Sequence, residues 1–481
     1  MRNRIHNYIG LPLIAVVLLS CKTPQVVEVK KLEELPSTPI VEHLVTNEVY
    51  HDITIESYFN DPYLLKLFQS VVHANPDFQI AQQRIEIANS YLQRAKKEVL
   101  PSLEVGAIAT GNRYGKYTME GVGNYDTNLS PNITEEQKIN RDFTPNYWLG
   151  ARSSWEVDAW GRLKHQKEAA HKRFFASEEG LQLLKVELFT DIANLYYQLI
   201  VLDNKLKIYE QNKNLQKRAF EIITAQRVVG KATELAVQQF KAQNQNILAE
   251  IEHIKIEIVS VEQAIRTLMG TYGGNIERGS SLLASNHAIL NQNMDVEKII
   301  HSRPDVKARY YELEASHADA KSAKAAFYPK IGIDAQVGLN SFSGGTFFKP
   351  SSLAAQLLGG LVVPIFNKGQ LKMEFDIATQ EQEIAFLNYQ KSVTSSYNEL
   401  QAIIQQMSIY QKALELKKNE VESLDRAVLV STDLYLTGYA NYLELIGSQK
   451  AKLQSDLDLL QYEYENSRNN IVLFKSLGGN L

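Results

Sequence analysis

The segments WGRLK (Trp160–Lys164) and RVVGKA (Arg227–Ala232) enclose a stretch that occurs twice in this chain of 481 residues. The second copy begins with NKGQLK (Asn367–Lys372) and ends with YLTGYA (Tyr435–Ala440). The glycines of the second copy follow those of the first by 208 positions at both ends. Self-similarity at a fixed offset indicates an internal structural repeat, so the chain is built from two related halves.

Both copies of this stretch predict one long helix. Neither contains proline, and Leu, Ile, Ala, Glu, Gln and Lys predominate. Apolar residues recur at steps of three and four, which is the pattern of a coiled-coil seam. At 1.5 Å per residue, each copy would form a rod of roughly 100 Å. The ladder consists of Ile192, Leu195, Leu199, Leu202, Leu206 and Tyr209, and its counterparts are Leu400, Ile403, Met407, Tyr410, Leu414 and, as the one polar exception, Lys417.

The first twenty residues predict a secretory signal peptide. Arg2 and Arg4 precede an apolar run from Ile9 to Leu19, which is too short to span a bilayer as a helix.

Cys21 is the single cysteine of the chain and directly follows a small residue, Ser20, as in a bacterial lipobox. The alternative is a buried cysteine without a role, but a disulfide is excluded in a chain with one cysteine. We therefore predict lipidation at Cys21 and a lipid anchor and N-terminal tether over residues 21–60. Lys22 stands where enterobacterial lipoproteins retained in the inner membrane carry aspartate, which favours the outer membrane.

Two segments, residues 102–157 and 331–364, predict β-hairpins. Each follows a proline, Pro101 or Pro329, after which the apolar period changes from 3.6 to two. Each has two strands of about 10–12 residues joined by an exposed loop, the length that a tilted strand needs to cross a bilayer. An ordinary soluble hairpin with one buried face is the alternative.

Four strands cannot close a membrane barrel, and lipid tolerates no open sheet edge. Identical chains must therefore pool their strands. Two chains would give eight strands and a barrel filled by side chains, whereas three would give twelve strands and leave a lumen. The sequence thus predicts a homotrimer if the protein is a pore.

The predicted organisation repeats hairpin and helices in two halves, with glycine turns before the antiparallel return helices. The fold class is mainly α with a membrane β-barrel part, built from duplicated hairpins and long antiparallel coiled-coil helices. The first repeat is residues 61–269, with helices 62–100, 161–229 and 231–269; a linker or equatorial region covers 270–294; and the second repeat is residues 295–481, with helices 303–327, 368–437 and 439–477.

These features together resemble the TolC family of outer membrane factors, in particular its OprM-like lipoprotein branch. The likeness covers residues 21–481 and depends on the order and duplication of modest motifs more than on any one of them. The motifs are the signal and lipobox, the paired stops Ala95–Pro101 and Ala323–Pro329, SWEVDAWGRLK, VPIFNKGQLK, SRPDV, YLTGYANYLELIGSQKA and LFKSLGG.

The resemblance implies a homotrimer with a 12-stranded β-barrel in the outer membrane and a helical barrel in the periplasm. It also implies a periplasmic tip that docks on an adaptor protein, which bridges to an inner-membrane transporter of the resistance-nodulation-division (RND) type. The tip is where helices turn, so the docking candidates flank the two glycines; they are Arg227, Val229, Gly230, Lys231, Leu436, Thr437, Gly438 and Tyr439.

Family members close this tip with ionic or hydrogen-bonded contacts and often carry an acidic ring there. Asp433, about one turn before Gly438, is the first gate candidate, and Asp425 is the second. Each can equally be a solvated acidic residue on an exposed helix face.

No catalytic or energy-coupling motif is present. GxxxxGK[ST], HExxH, CxxC and GxSxG are all missing, so we predict no enzyme activity, no cofactor and no metal site. The net charge is −4 with mixed signs and no basic block, so no nucleic-acid partner is expected. Together with the absence of an NTPase motif, the resemblance implies a passive exit duct of a tripartite efflux pump for small molecules, drugs or metal ions. The alternatives are a type I secretion outlet and a lipid-anchored coiled-coil scaffold without a pore.

Overall fold

The computed structural model describes residues 24–26, 28–30, 32, 54–283 and 295–479. Cys21 and the predicted signal peptide lie outside these residues. The chain divides into two compact units. Of the described residues, the sheet unit contains 24–26, 28–30, 88–174 and 312–386, and the helical unit contains the others.

The sheet unit contains four antiparallel strands in the order β1-β2-β3-β4. β2 and β3 pair with each other as well as with their hairpin partners, so β1 and β4 are the edges of the sheet. The strands are β1 (Ser102–Asn112), β2 (Thr144–Val157), β3 (Lys330–Ser341) and β4 (Leu353–Val362).

The register places every odd-numbered strand residue on one face of the sheet. Leu103 lies opposite Ser153, which lies opposite Ala335, which lies opposite Leu357. The odd-numbered apolar residues of all four strands therefore share one face. The other face carries the even-numbered, more polar residues, as expected when side chains alternate along a strand.

The loop between β1 and β2 contains a helix that the sequence analysis did not predict. Helix α4 (Met119–Leu129) is capped by Thr118, whose side chain accepts a hydrogen bond from the backbone N–H of Gly121. The segment was expected to be an exposed loop because it is rich in glycine and asparagine, which are poor helix formers. It is a helix because the threonine cap and contacts within the loop hold it.

The junction between strands and helices in the sheet unit is fixed by aromatic and charged contacts. The Trp160 indole stacks on Tyr328 at a centroid distance of 5.1 Å and donates a 2.7 Å hydrogen bond to the carbonyl of Pro329. Arg173 pairs with Asp319 at 2.5 Å and with Glu312 at 3.5 Å. These contacts join the start of the long helix of the first repeat, residues 160–173, to the segment of the second repeat that precedes its strands, residues 312–329.

The helices account for most of the described chain. Within the described ranges, no helix is both long enough and apolar enough to cross a membrane. They are α1 (Ile55–Phe59), α2 (Pro62–Ala74), α3 (Pro76–Lys97), α5 (Arg162–Val228), α6 (Glu234–Leu268), α7 (Val296–Ser302), α8 (Pro304–Ala325), α9 (Gln370–Thr437) and α10 (Tyr442–Ser476).

The segment 62–100, in which Asn75-Pro76-Asp77 is expected to restart the helix, is two helices. Asn75 ends α2, and its side chain accepts a hydrogen bond from the N–H of Phe78 at 3.0 Å, so it also caps α3. Pro76 occupies the first turn of α3, where its missing N–H leaves no bond unmade. The short helices α1 and α7, capped by Thr54 and Asp295, were not predicted.

The two copies have nearly the same backbone φ at the glycines that flank α5 and α9. Gly161 and Gly369, just before the helices, have φ values of 77° and 81°. Gly230 and Gly438, just after them, have φ values of 75° and 81°. These positive angles are accessible to glycine and costly for other residues, which explains glycine at all four positions.

The core of the helical unit is an aromatic cluster. Phe189 lies edge-on to Phe59, Phe68 and Phe474, with centroid distances between 4.7 and 5.5 Å. Tyr58 is buried and donates a 2.8 Å hydrogen bond to the carbonyl of Asn470. The short α1 is therefore held against α5 and α10 by buried rings.

Two arginines in this unit form ion pairs close to the boundary between the repeats, one after the first repeat and one near the start of the second. Arg303, almost fully buried, pairs with Asp305 at 3.0 Å and with Glu399 at 2.8 Å. Arg278, in the described part of the linker, pairs with Asp203 at 2.6 Å and Glu262 at 2.9 Å. A buried arginine must be paired in this way because an uncompensated charge would be strongly destabilising.

Candidate functional site

The two helix turns of the helical unit have the same hydrogen-bond pattern. The N–H of Gly230 donates to the carbonyl of Arg227 at 3.0 Å, and that of Lys231 donates to Gln226 at 2.8 Å. In the second turn, Gly438 donates to Tyr435 at 3.2 Å and Tyr439 donates to Leu434 at 2.8 Å. This is the Schellman arrangement, in which a left-handed glycine satisfies the last carbonyls of a helix.

The return helices begin with matching caps. The Thr233 side chain accepts a hydrogen bond from the N–H of Ala236, and Asn441, 208 positions later, caps Leu443 and Glu444. The N–H of Asn441 donates a 3.1 Å hydrogen bond to the Glu444 carboxylate, which completes a capping box. Each turn is therefore fixed on both sides of its glycine.

A second apolar cluster, here called the tip cluster, joins the two turns. Phe240, which is fully buried, is its largest member. The Tyr435 hydroxyl donates to the Gln226 side-chain oxygen, and Gln216 donates to Gln449 at 3.0 Å, so polar contacts on both sides accompany it. Its buried members are Ala219, Ile223, Ala236, Val237, Phe240 and Leu445.

The structure brings the predicted docking candidates together at this pair of turns. Val229, Leu436 and Tyr439 expose 67%, 56% and 85% of their surface, although all three are apolar or aromatic. Arg227 pairs with Glu234 at 2.6 Å across its turn. The tip cluster orders the two turns, and the exposed side chains lie on them.

The two gate candidates have different surroundings. The Asp425 carboxylate lies 3.1 Å from the Lys452 ammonium on α10, which also contacts Asp456 at 2.5 Å. Partial burial lowers the pKa of Lys452, but the hydrogen bonds to Asp456 and Asp425 raise it above its usual value. Asp433 is exposed, and among the described residues its carboxylate has no ion pair. Asp425 is therefore neutralised within its own chain, whereas Asp433 is not.

The polar face of the sheet is a second candidate surface, which the sequence analysis did not single out. Glu104, Arg152, Gln336 and Gln356 form one row across all four strands, and Gln336 donates to Gln356 at 2.5 Å. The Arg152 guanidinium lies 4.1 Å from the ring centre of Trp148. The signal was present in the sequence as the even-numbered positions of the strands.

Metal ligation is not indicated by the geometry of the described residues, which contain no group of three His, Cys, Asp or Glu side chains arranged to hold an ion.

Paired strand hairpins, followed by long helices that return through glycine turns, are the architecture of outer membrane channel proteins. The sequence profile of the outer membrane efflux protein family matches residues 67–271 and 296–479. The chain belongs to this family.

Named relatives agree with the family assignment over nearly the whole chain. The probable outer membrane lipoprotein SilC of Salmonella typhimurium is 23% identical over 431 residues, which cover 89% of this chain and 88% of SilC. The cation efflux system protein CusC of Escherichia coli K12 is 22% identical over 430 residues, 89% of each chain. The solvent efflux pump outer membrane protein SrpC of Pseudomonas putida is 23% identical over 425 residues, 88% of this chain and 87% of SrpC.

A solved structure gives the same result for the fold. The crystal structure of CusC matches with a TM-score of 0.79 at 20% identity, covering 93% of this chain and 99% of CusC. The chain has the outer membrane factor fold, and the protein is an efflux channel component of the Gram-negative outer membrane. The family is one of transport proteins.

Proposed function

We propose that three copies of this chain close into one passive exit duct. In this assembly the twelve strands form a β-barrel in the outer membrane, and the long helices form a helical barrel in the periplasm. Cys21 carries the lipid anchor. The observation that carries the proposal is the four-stranded sheet, whose edge strands β1 and β4 have no partner strand within the described chain. Lipid does not tolerate such edges.

The two faces of the sheet support closure around a lumen. The odd-numbered face exposes Leu103, Leu357 and Leu361, as a lipid-facing surface would. The even-numbered face carries the row containing Glu104 and Arg152, as a water-filled interior would. This alternation is the pattern of transmembrane barrels with aqueous channels.

Unpartnered apolar stripes next to both edges support a ring of identical subunits. On α3, which precedes β1, Ile80, Ile87 and Tyr91 are exposed at steps of seven and four. On α9, which follows β4, Met373, Ile377 and Ile384 are exposed at steps of four and seven. Stripes of this spacing pack against a neighbouring helix. If the α3 stripe of one copy contacts the α9 stripe of the next, the contact is head-to-tail, and such contacts can close into a ring.

We assign adaptor docking to the two glycine turns. Their exposed apolar side chains, Val229, Leu436 and Tyr439, offer a contact of the kind that anchors protein interfaces. The partners would be a periplasmic adaptor and, through it, an inner-membrane transporter of the RND type. The chain itself supplies no energy for transport, and the cargo would be small molecules, drugs or metal ions.

Planar-bilayer recording of the purified protein tests the duct. We expect a trimer on native gels and ion conductance that increases in Asp433→Ala, because alanine cannot accept a hydrogen bond or pair with a cation of a neighbouring copy at the tip. Asp425→Ala is the matched control and should change conductance less, since Asp425 already pairs with Lys452 in its own chain. A trimer that never conducts, even with both aspartates replaced, would favour the scaffold alternative.

A further inference from the structure

Helix α4, in the loop after the edge strand β1, turns small and polar residues toward the rest of the loop, unlike an ordinary surface helix. Gly121 and Asn128 lie on the side turned toward the loop. A Cβ on Gly121 would lie 2.1 Å from the carbonyl oxygen of Gly115, and Asn128 exchanges two 2.8 Å hydrogen bonds with the backbone of Ile139. The small and polar side of the helix is therefore its inner side.

The outer side of α4 carries three exposed apolar side chains beside the exposed carboxylate of Asp126. Met119 and Leu129 expose 90% and 65% of their surface, and Val122 is half exposed. These residues recur at steps of three and seven, so they share one helix face. A soluble surface helix normally shows the reverse arrangement, with its apolar stripe inward. We call this face, which is defined by Met119, Val122 and Leu129, the rim face. Exposed apolar surface of this kind is typical of an interaction site.

The loop between β3 and β4 exposes a second apolar side chain at the same end of the sheet. Phe348 exposes 77% of its surface, and it lies beside Phe347, which packs edge-on against Tyr147. The loop is held by an ion pair of 2.5 Å between Lys349 and Glu136. Phe348 thus projects from an ordered loop and is not covered by it.

In the proposed ring, the strand directions would bring these two surfaces of adjoining copies to facing positions. β1 ends at Asn112 and leads into α4, whereas β4 begins at Leu353, directly after the Phe348 loop. When β1 of one copy pairs antiparallel with β4 of the next, the end of β1 lies opposite the start of β4. The rim face and Phe348 of the adjoining copy then meet at the same end of the barrel.

We propose that the rim face of α4 binds Phe348 of the neighbouring copy and so links the loops around the mouth of the duct. This inference rests on the ring of three copies argued above. Three such contacts tie each loop pair to the next. They bury apolar side chains that the single chain leaves in water, and burial of this kind favours association.

Disulfide trapping in the outer membrane tests the contact. The native Cys21 is the only cysteine and is the proposed lipidation site, so Val122→Cys combined with Phe348→Cys adds the only free thiols. On oxidation, we expect covalent dimers and a closed covalent trimer on a non-reducing gel. When the two single variants are expressed together, the product should stop at a dimer, which distinguishes a link between chains from one within a chain.

Thr127→Cys with Phe348→Cys is the matched control, because Thr127 is exposed on the same helix but on another face. The control pair should not cross-link. Equal cross-linking of both pairs, or no cross-linking in a protein that is trimeric on a native gel, overturns the rim contact and leaves the duct intact. A monomer on the native gel overturns both the rim contact and the trimeric duct. If outer-leaflet lipid covers Val122 instead of Phe348, the result is a trimer without cross-links, which also overturns the rim contact.

Discussion

At the scale of single residues, the glycines of the turns are constrained by backbone conformation alone. Gly438 has a φ of 81°, and an added Cβ would meet no atom within 4 Å. We therefore expect Gly438→Ala to destabilise the turn by about 1–2 kcal/mol, the cost of a left-handed L-residue. Gly438→Asn should cost less, since asparagine tolerates this region. Hydrogen exchange of the turn amides measures the effect.

Gly447 is the control for this substitution. It lies exposed within α10 with no positive φ and no atom within 4 Å of an added Cβ. Gly447→Ala should stabilise the helix by about 0.5–1 kcal/mol, because glycine lowers helix stability relative to alanine. If both alanine variants shift protection in the same direction, backbone conformation is not the reason for glycine at Gly438.

Single residues also differ in how far the sequence alone predicts their role. Gly230 and Gly438 could be predicted as turns because their signal is local, a glycine at the end of a proline-free helical pattern. The pairing of Asp425 with Lys452 could not, because it depends on how α9 and α10 align along their length. The order of the two gate candidates, Asp433 before Asp425, came from the sequence, and the gate role of either aspartate stays a prediction.

At the scale of elements, the tip cluster should act as one unit. Phe240 is fully buried among residues from both helical hairpins. Phe240→Ala should destabilise the tip by about 3–5 kcal/mol, the usual cost of removing a buried ring. Cleavage by trypsin after Arg227 and Lys231 should then accelerate. Leu443→Ala, on an exposed side chain of α10, should leave cleavage nearly unchanged, and equal rates for the two variants would argue against a shared core.

Helices and strands could be predicted where the hydrophobic pattern repeats over many residues. They were missed where tertiary contacts decide the conformation. The alternation in β3 gave its apolar face directly, and α5 and α9 followed from their ladders. α4 was missed because its sequence, MEGVGNYDTNL, has low helix propensity. Its cap at Thr118 was a visible signal, but the clamp between Asn128 and Ile139 lies across the loop. That contact and the Thr118 cap together hold these residues as a helix.

At the scale of the whole molecule, docking and conduction should be separable. Leu436 and Tyr439 are exposed, so Leu436→Asp and Tyr439→Asp should leave folding and trimer formation unchanged. A charge in the centre of an apolar interface should cost about 2 kcal/mol or more, roughly thirtyfold in affinity for the adaptor. Cells carrying these variants should therefore become as sensitive to the pump's substrates as cells lacking the gene.

The control for docking is Lys450→Asp, which introduces the same side chain at an exposed position of α10 beyond the turns. It should preserve resistance. Purified Leu436→Asp should still conduct in a planar bilayer, because the duct does not need the adaptor in order to exist. If it forms trimers, conducts and also preserves resistance, the glycine turns are not the docking surface. Loss of conductance together with resistance would instead place Leu436 in the wall of the duct.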